Sequence, residues 1–269
     1  MDKKSLKYLF FIPLAALILI LMSLPLNGCS KTNIENVLTK TQDQTRKTDR
    51  KNDDMESIES FKNDKNIENK EIDERSEEIM LPYPKLKSSI SLEEALKNRR
   101  SVRQFSEKDL ALEDISQILW AAQGITENSS GFRTAPSAGA LYPIELFVVK
   151  SDGLFQYIAK GHKLKKLDSG DLRQKLMQAS LLQESISNAS LDIIITAVYE
   201  RTTAKYGDRG IRYIYMEAGH VCQNILLQAT ALQLGAVPIG AFSDTEVQKV
   251  LGLSKDYNPL YIIPVGYVK

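Results

Sequence analysis

Thr134-Ala135-Pro136-Ser137-Ala138-Gly139-Ala140-Leu141-Tyr142-Pro143, followed at once by Ile144-Glu145-Leu146-Phe147-Val148-Val149, is the stretch from which the rest of the chain is read. Small residues, a glycine and two prolines in its first part cannot form a buried helix, and the Leu-Phe-Val-Val run behind them reads as an interior strand. The expectation is a rigid loop feeding a strand. A loop without bulky side chains lets backbone N–H groups approach a flat or phosphorylated ligand closely, as glycines do in phosphate loops. The same run also reads as an ordinary tight turn, so its meaning depends on partners elsewhere in the chain.

Downstream, Ser151-Asp152-Gly153 marks a turn, Leu154 to Leu167 a hairpin or irregular excursion, Asp171 to Gln178 a helix and Asp192 to Val198 a buried strand. A long helix is expected from about Gly210 to Leu234, with Ile214, Ala218, Val221, Ile225 and Ala229 on one stripe and few charges after Glu217. So apolar a helix is central to the domain or to a dimer interface. Gly235 is placed as its C-cap glycine. Val237 to Phe242 is an extended small-residue loop, Asp244 to Leu251 a capped helix, and Tyr261 to Val268 a final strand. Upstream, Ser91-Leu92-Glu93-Glu94 has the form of a capping box for a short helix with Leu92, Ala95 and Leu96 on its apolar side, ending at Asn98-Arg99-Arg100. Leu112, Ile115, Leu119 and Ala122 repeat at helical spacing between Leu112 and Gln123.

The chain has 269 residues, 43% of them hydrophobic, and a net charge of +1, which suits one globular domain with extensions and gives no sign of a nucleic-acid partner. Cys29 and Cys222 stand far from any Cys/His partner spacing, and His162 and His220 are the only histidines, so no zinc pattern is present. His220 reads as a hydrogen-bonded core histidine and Cys222 as a small core residue.

The first 29 residues carry Lys3, Lys4 and Lys7, an apolar run from Tyr8 to Leu26, and then Asn27-Gly28-Cys29, the form of a secretory signal. The Leu26-Asn27-Gly28-Cys29 ending resembles a bacterial lipobox, which implies cleavage before a lipid-modified Cys29; the same segment also reads as an uncleaved membrane anchor. In both cases the remainder lies outside the cytoplasm, held to the membrane. Residues 30–79 mix charges of both signs at roughly half of all positions and nearly lack aromatics, the composition of a flexible tether. The folded domain is expected over residues 80–269.

Three arginines in Arg99-Arg100-Ser101-Val102-Arg103 need a reason, which is either a solvated face or the bidentate grip of guanidinium groups on phosphate oxygens. Taken in order, Arg-Arg-Ser-x-Arg-x-Phe, Ala135-Pro136-Ser137-Ala138-Gly139-Ala140-Leu141-Tyr142-Pro143, Glu217-Ala218-Gly219-His220 with Gln223-Asn224, and Gly235-Ala236-Val237-Pro238-Ile239-Gly240-Ala241-Phe242 resemble the FMN-dependent nitroreductase superfamily. The resemblance runs from about Leu81 to the C-terminus. The Ser-Ala-Gly-Ala-Leu-Tyr-Pro form and Lys205-Tyr206-Gly207-Asp208-Arg209-Gly210 are most similar to its SagB/ThcOx-type branch, which includes azoline-oxidising dehydrogenases of peptide maturation.

That resemblance implies an α+β fold, a mixed sheet flanked by helices around a long central helix, in an intertwined homodimer with FMN at the dimer interface. It implies that Arg99, Ser101 and Arg103 hold the ribityl phosphate and the pyrimidine edge, with Arg100 contributing mainly backbone. Pro136, Ser137 and Gly139 would line the flavin from the partner chain, and Ile239, Gly240 and Ala241 would turn backbone N–H groups to its N5 and O4. Lys205 and Tyr206 match the pair that removes the proton when a C–H bond is oxidised, a role suited to a desolvated lysine beside a tyrosine. Where many members place a basic phosphate-binding segment beyond the last strand, only Lys269 stands. An exported flavin enzyme lacks cytoplasmic NAD(P)H, which favours dehydrogenation of a small or peptide-derived substrate. An NAD(P)H-dependent nitro or quinone reductase, and a non-catalytic flavin-binding surface protein, remain open at this point.

Overall fold

The structure, a computed structural model, describes residues 77–269. The signal segment, Cys29 and nearly all of the tether lie outside these residues. The described chain runs β1 (Glu78–Met80), α1 (Leu92–Asn98), α2 (Leu112–Gln123), β2 (Ile125–Glu127), β3 (Phe132–Arg133), β4 (Ile144–Lys150), β5 (Gly153–Ile158), β6 (Lys163–Asp168), α3 (Arg173–Ala179), α4 (Glu184–Asn188), β7 (Leu191–Val198), α5 (Glu200–Tyr206), α6 (Arg209–Ala231), β8 (Leu234–Ala236), α7 (Asp244–Val250) and β9 (Tyr257–Tyr267). Seven strands form one sheet in the order β1-β6-β5-β4-β7-β9-β8.

Alternation along the inner strands sorts their side chains to two faces. Leu146 and Val148 of β4, Ile193 and Ile195 of β7, and Ile263 and Val265 of β9 face α2 and α6, where Ile115, Ile118, Leu119, Ile214, Val221 and Ile225 close the core. Phe147, Val149, Ile194 and Ile262 point the other way, onto Leu176 of α3, Ile186 of α4 and Val247 of α7. The result is three layers with the sheet in the middle, and each large side chain buried this way contributes about 1.5–3 kcal/mol.

Several elements fall where the sequence places them. Ser91 caps α1 by accepting from the Glu94 N–H at 3.1 Å, and the expected hairpin after the Ser151–Gly153 turn is β5 and β6. Others differ. The sheet begins at Glu78, ahead of the expected domain start, because β1 pairs with the outer edge of β6 and Lys163 forms an ion pair with Glu78 at 2.8 Å. The strands pair antiparallel rather than as a mixed sheet; Ser101 with Ala236 is an isolated parallel bridge. Of the apolar side of α1 only Ala95 is buried, while Leu92 and Leu96 are exposed. Gly235 is not a cap. The left-handed residue after α6 is Gln233, with φ 60°, and Gly235 lies inside β8, where an added Cβ would meet Val102 Cγ1 at 2.7 Å. Its glycine identity therefore answers to close packing, not to a turn.

Candidate active site

The loop from Thr134 to Pro143 is held from several sides. Ser137 Oγ accepts from the Tyr142 N–H at 2.9 Å, the Tyr142 hydroxyl accepts from the Arg133 N–H at 3.1 Å, and the Arg133 guanidinium lies 4.6 Å from the Tyr142 ring centroid. Arg201 of α5 donates to the Tyr142 carbonyl at 3.0 Å and pairs with Glu145. Within this frame Gly139, Ala140 and Tyr142 have φ of 64°, 54° and 47°. Left-handed backbone at two non-glycine residues persists only where the surroundings fix it.

The tight residue is Gly139. A Cβ there would lie 2.8 Å from the Tyr206 hydroxyl and 3.1 Å from Lys205 Nζ, so the end of α5 brings both polar groups onto the loop in the same chain. Tyr206 is steadied by an edge-on contact with Tyr213 of α6, ring centroids 5.2 Å apart. Lys205 is exposed in the single chain and not desolvated. Pro136 and Gly139 are exposed too, while Ser137 is half-buried.

A second cluster forms at the β8 edge of the sheet. The Val102 N–H donates to the Ala236 carbonyl at 3.0 Å, strapping Arg99 to Arg103 along β8. Arg100 turns its guanidinium back to the Lys97 and Arg99 carbonyls at 2.9 and 2.8 Å, which leaves Arg99, Ser101 and Arg103 as the outward donors. The Lys269 N–H donates to the Gln104 carbonyl at 3.4 Å, placing the last residue beside the arginine segment. From β8 the chain runs directly into Ile239, Gly240 and Ala241. Here one expectation needs correction: the Ile239 N–H donates to the Ile262 carbonyl at 2.8 Å and is spent within the sheet. Gly240 and Ala241 are exposed, with N–H groups that have no acceptor among the described residues.

These residues fit FMN. The outward groups are guanidinium, hydroxyl and backbone N–H donors, suited to a phosphate and to flavin carbonyl oxygens. Open space adjoins Gly240, where a Cβ would meet only Tyr261 at 3.9 Å. Helix α6 backs both clusters, with Glu217 beside Ser137 and Cys222 within the field of Arg99. Burial pushes the Cys222 thiol up to about 12, against the pull of Arg99, so it is an inert core thiol as its sequence setting suggests.

His220 is exposed, not a core histidine. The hydrogen-bonded histidine is His162, whose Nε2 lies 2.7 Å from Ser116 Oγ and whose Nδ1 lies 2.9 Å from the Tyr157 hydroxyl. Sequence reasoning gives no role to Arg133, Arg201 or Gln123, and Glu217 enters it as the first residue of the Glu217-Ala218-Gly219-His220 motif, without a role of its own. Glu217 had a signal: it stands three residues after Ile214 and four before Val221, so an acid occupies the buried stripe of α6.

A three-layer α+β fold with a Lys-Tyr pair at the end of α5 and a strand-strapped arginine segment is the frame of a nitroreductase-type oxidoreductase. Residues 96–267 match the Nitroreductase family, and the chain belongs to that family. A protein of Methanocaldococcus jannaschii that carries the name of a nitroreductase is 45% identical over 195 residues, covering 70% of this chain and 96% of its own. The crystal structure of a Ralstonia eutropha protein with the same kind of name superposes with TM-score 0.67 at 28% identity, covering 72% of this chain and 91% of that one. The microcin B17-processing protein of Escherichia coli is 25% identical over 159 residues, covering 54% of this chain and 58% of its own.

Proposed function

We propose that the chain is an FMN-dependent dehydrogenase of the SagB/ThcOx type, which removes a hydride and a proton from a small or peptide-derived substrate. The observation that carries this reading is the meeting of Lys205 Nζ and the Tyr206 hydroxyl at Gly139, on a loop whose Pro136 and Gly139 are exposed. FMN when bound supplies the hydride acceptor. Arg99, Ser101 and Arg103 would hold its phosphate and pyrimidine edge, with Lys269 alongside, and Gly240 and Ala241 would offer their unengaged N–H groups. Lys205, oriented by Tyr206, takes the proton that leaves with the hydride, and the electrons pass on to oxygen, a quinone or another acceptor.

A homodimer completes this site in our reading. Leu92 and Leu96 of α1 and Tyr215 and Met216 of α6 are all more than half exposed, an apolar surface of the kind that a second copy buries. Lys205, exposed in one chain, would be desolvated only by groups from outside that chain, such as the second copy or the bound substrate. Similarity to a microcin-processing protein agrees with a peptide-derived substrate. The proposed location is extracytoplasmic, with the domain tethered through a lipid on Cys29; palmitate labelling that survives Cys29→Ala would refute the anchor. The whole reading is tested by oxidation of a thiazoline-bearing peptide, followed as loss of two hydrogens by mass spectrometry. Turnover with NAD(P)H and a quinone but none with such peptides would favour a reductase instead.

A further inference from the structure

Glu217 is 2% exposed, its Oε1 has no hydrogen-bond partner, and neither the Lys-Tyr pair nor the arginine segment accounts for a carboxyl group at that place. Facing it are the Ser137 hydroxyl, the Gln123 side chain and the Ile144 N–H, with the Arg133 guanidinium nearby. Two of these neighbours are already committed on one side. Gln123 uses Oε1 to accept from Arg133 Nη1 at 3.0 Å, so its unpartnered Nε2 is the group left to turn towards Glu217. Ser137 Oγ accepts from the Tyr142 N–H at 2.9 Å, which leaves it one proton to give and one lone pair.

A carboxylate and a carboxylic acid ask different things of these neighbours. The carboxylate can only accept, so the Ser137 proton points inward to it. The acid must place its own proton on an acceptor; with Gln123 Oε1 turned to Arg133, Ser137 Oγ takes that proton, and its own hydroxyl proton is then free to point outward. We propose that Glu217 is a positioning residue whose proton sets the direction of the Ser137 hydroxyl, inward onto the carboxylate or outward to a carbonyl oxygen of bound flavin. The inference rests on the FMN reading, since Ser137 meets a flavin only if its loop lines one.

Both states of Glu217 are accessible near neutrality. Burial raises its carboxyl to about 7, against the pull of Ser137, Arg133, Gln123 and the Ile144 N–H. The charged groups around it are few: α2 presents the neutral Gln123, β3 presents Arg133, and Glu145 of β4 is paired with Arg201 of α5. As pH rises through that value, Ser137 turns inward and a negative charge appears beneath the loop. Both changes weaken flavin binding.

The test is FMN affinity of the full-length chain in detergent, measured by flavin fluorescence on either side of neutrality. Affinity of the unaltered protein should fall about fivefold more than that of Glu217→Gln as pH is raised, the scale of one lost hydrogen bond. The phosphate of FMN titrates near pH 6 and affects both proteins alike, so the difference isolates Glu217. Ser137→Ala should remove the same extra fall while keeping Glu217. An unchanged pH dependence in Glu217→Gln overturns the proposal, as does its persistence in Ser137→Ala, which decides the matter if Glu217→Gln does not fold. Failure of the unaltered protein to bind FMN at any pH overturns the FMN reading and this inference together.

Discussion

Replacing Lys205 by alanine is expected to lower the rate of substrate dehydrogenation by about 10²- to 10⁴-fold, the range for loss of a general base, while FMN stays bound. The reasoning is geometric. Lys205 and Tyr206 end the short helix α5, and Lys205 Nζ and the Tyr206 hydroxyl reach to 3.1 and 2.8 Å of where a Cβ on Gly139 would lie. Nothing in the arginine segment or the Gly240 loop depends on them, so cofactor binding and proton removal separate. The measurement is the rate of hydrogen loss from a thiazoline-bearing peptide, with the flavin spectrum recorded on the same sample. A full rate in Lys205→Ala would place the base elsewhere. Unchanged NAD(P)H oxidation by this variant, with no peptide turnover in either protein, would favour the reductase.

Gly235→Val is expected to lower stability by about 1–3 kcal/mol, the scale of overpacking a filled site, and to reduce FMN loading at the same time. The added side chain would collide with Val102, whose backbone N–H ties the arginine segment to Ala236 at 3.0 Å. Relief requires that segment to move off β8, and Arg99, Ser101 and Arg103 move with it. For a domain of this size the melting temperature should fall by roughly 3–9 °C. A variant that melts lower yet binds FMN with unaltered affinity would show that the strap does not position the arginines.

The layers of this fold were legible in the sequence because periodicity reports burial directly. The stripe Ile214, Ala218, Val221, Ile225, Ala229 and the run Leu146 to Val149 both state which faces are covered, and both are buried. Ends and close approaches were less legible. Gly235 resembles a helix cap in one dimension, since what demands a glycine there is Val102, more than a hundred residues earlier in the chain. The start of the sheet at Glu78 was hidden for a similar reason. Charged composition argues for a tether, but pairing with the edge of β6 needs only backbone and one lysine.

The candidate site divides in the same way. Arg99 to Arg103, Pro136 to Gly139 and Lys205-Tyr206 were marked by motif, and the structure places Lys205 and Tyr206 against Gly139. Their supports were not marked. Arg133, Arg201 and Gln123 act through contacts that no spacing announces, and the engagement of the Ile239 N–H in the sheet follows from the register of Ile262.

The measurement that bears most directly on the whole account is the visible spectrum of the purified full-length chain, before and after heat release of any chromophore. The account predicts a yellow protein that releases FMN at about one copy per chain. A colourless protein that takes up no added FMN would contradict it, and would leave the arginine segment and the Gly240 loop as features of the fold without the cofactor they suit.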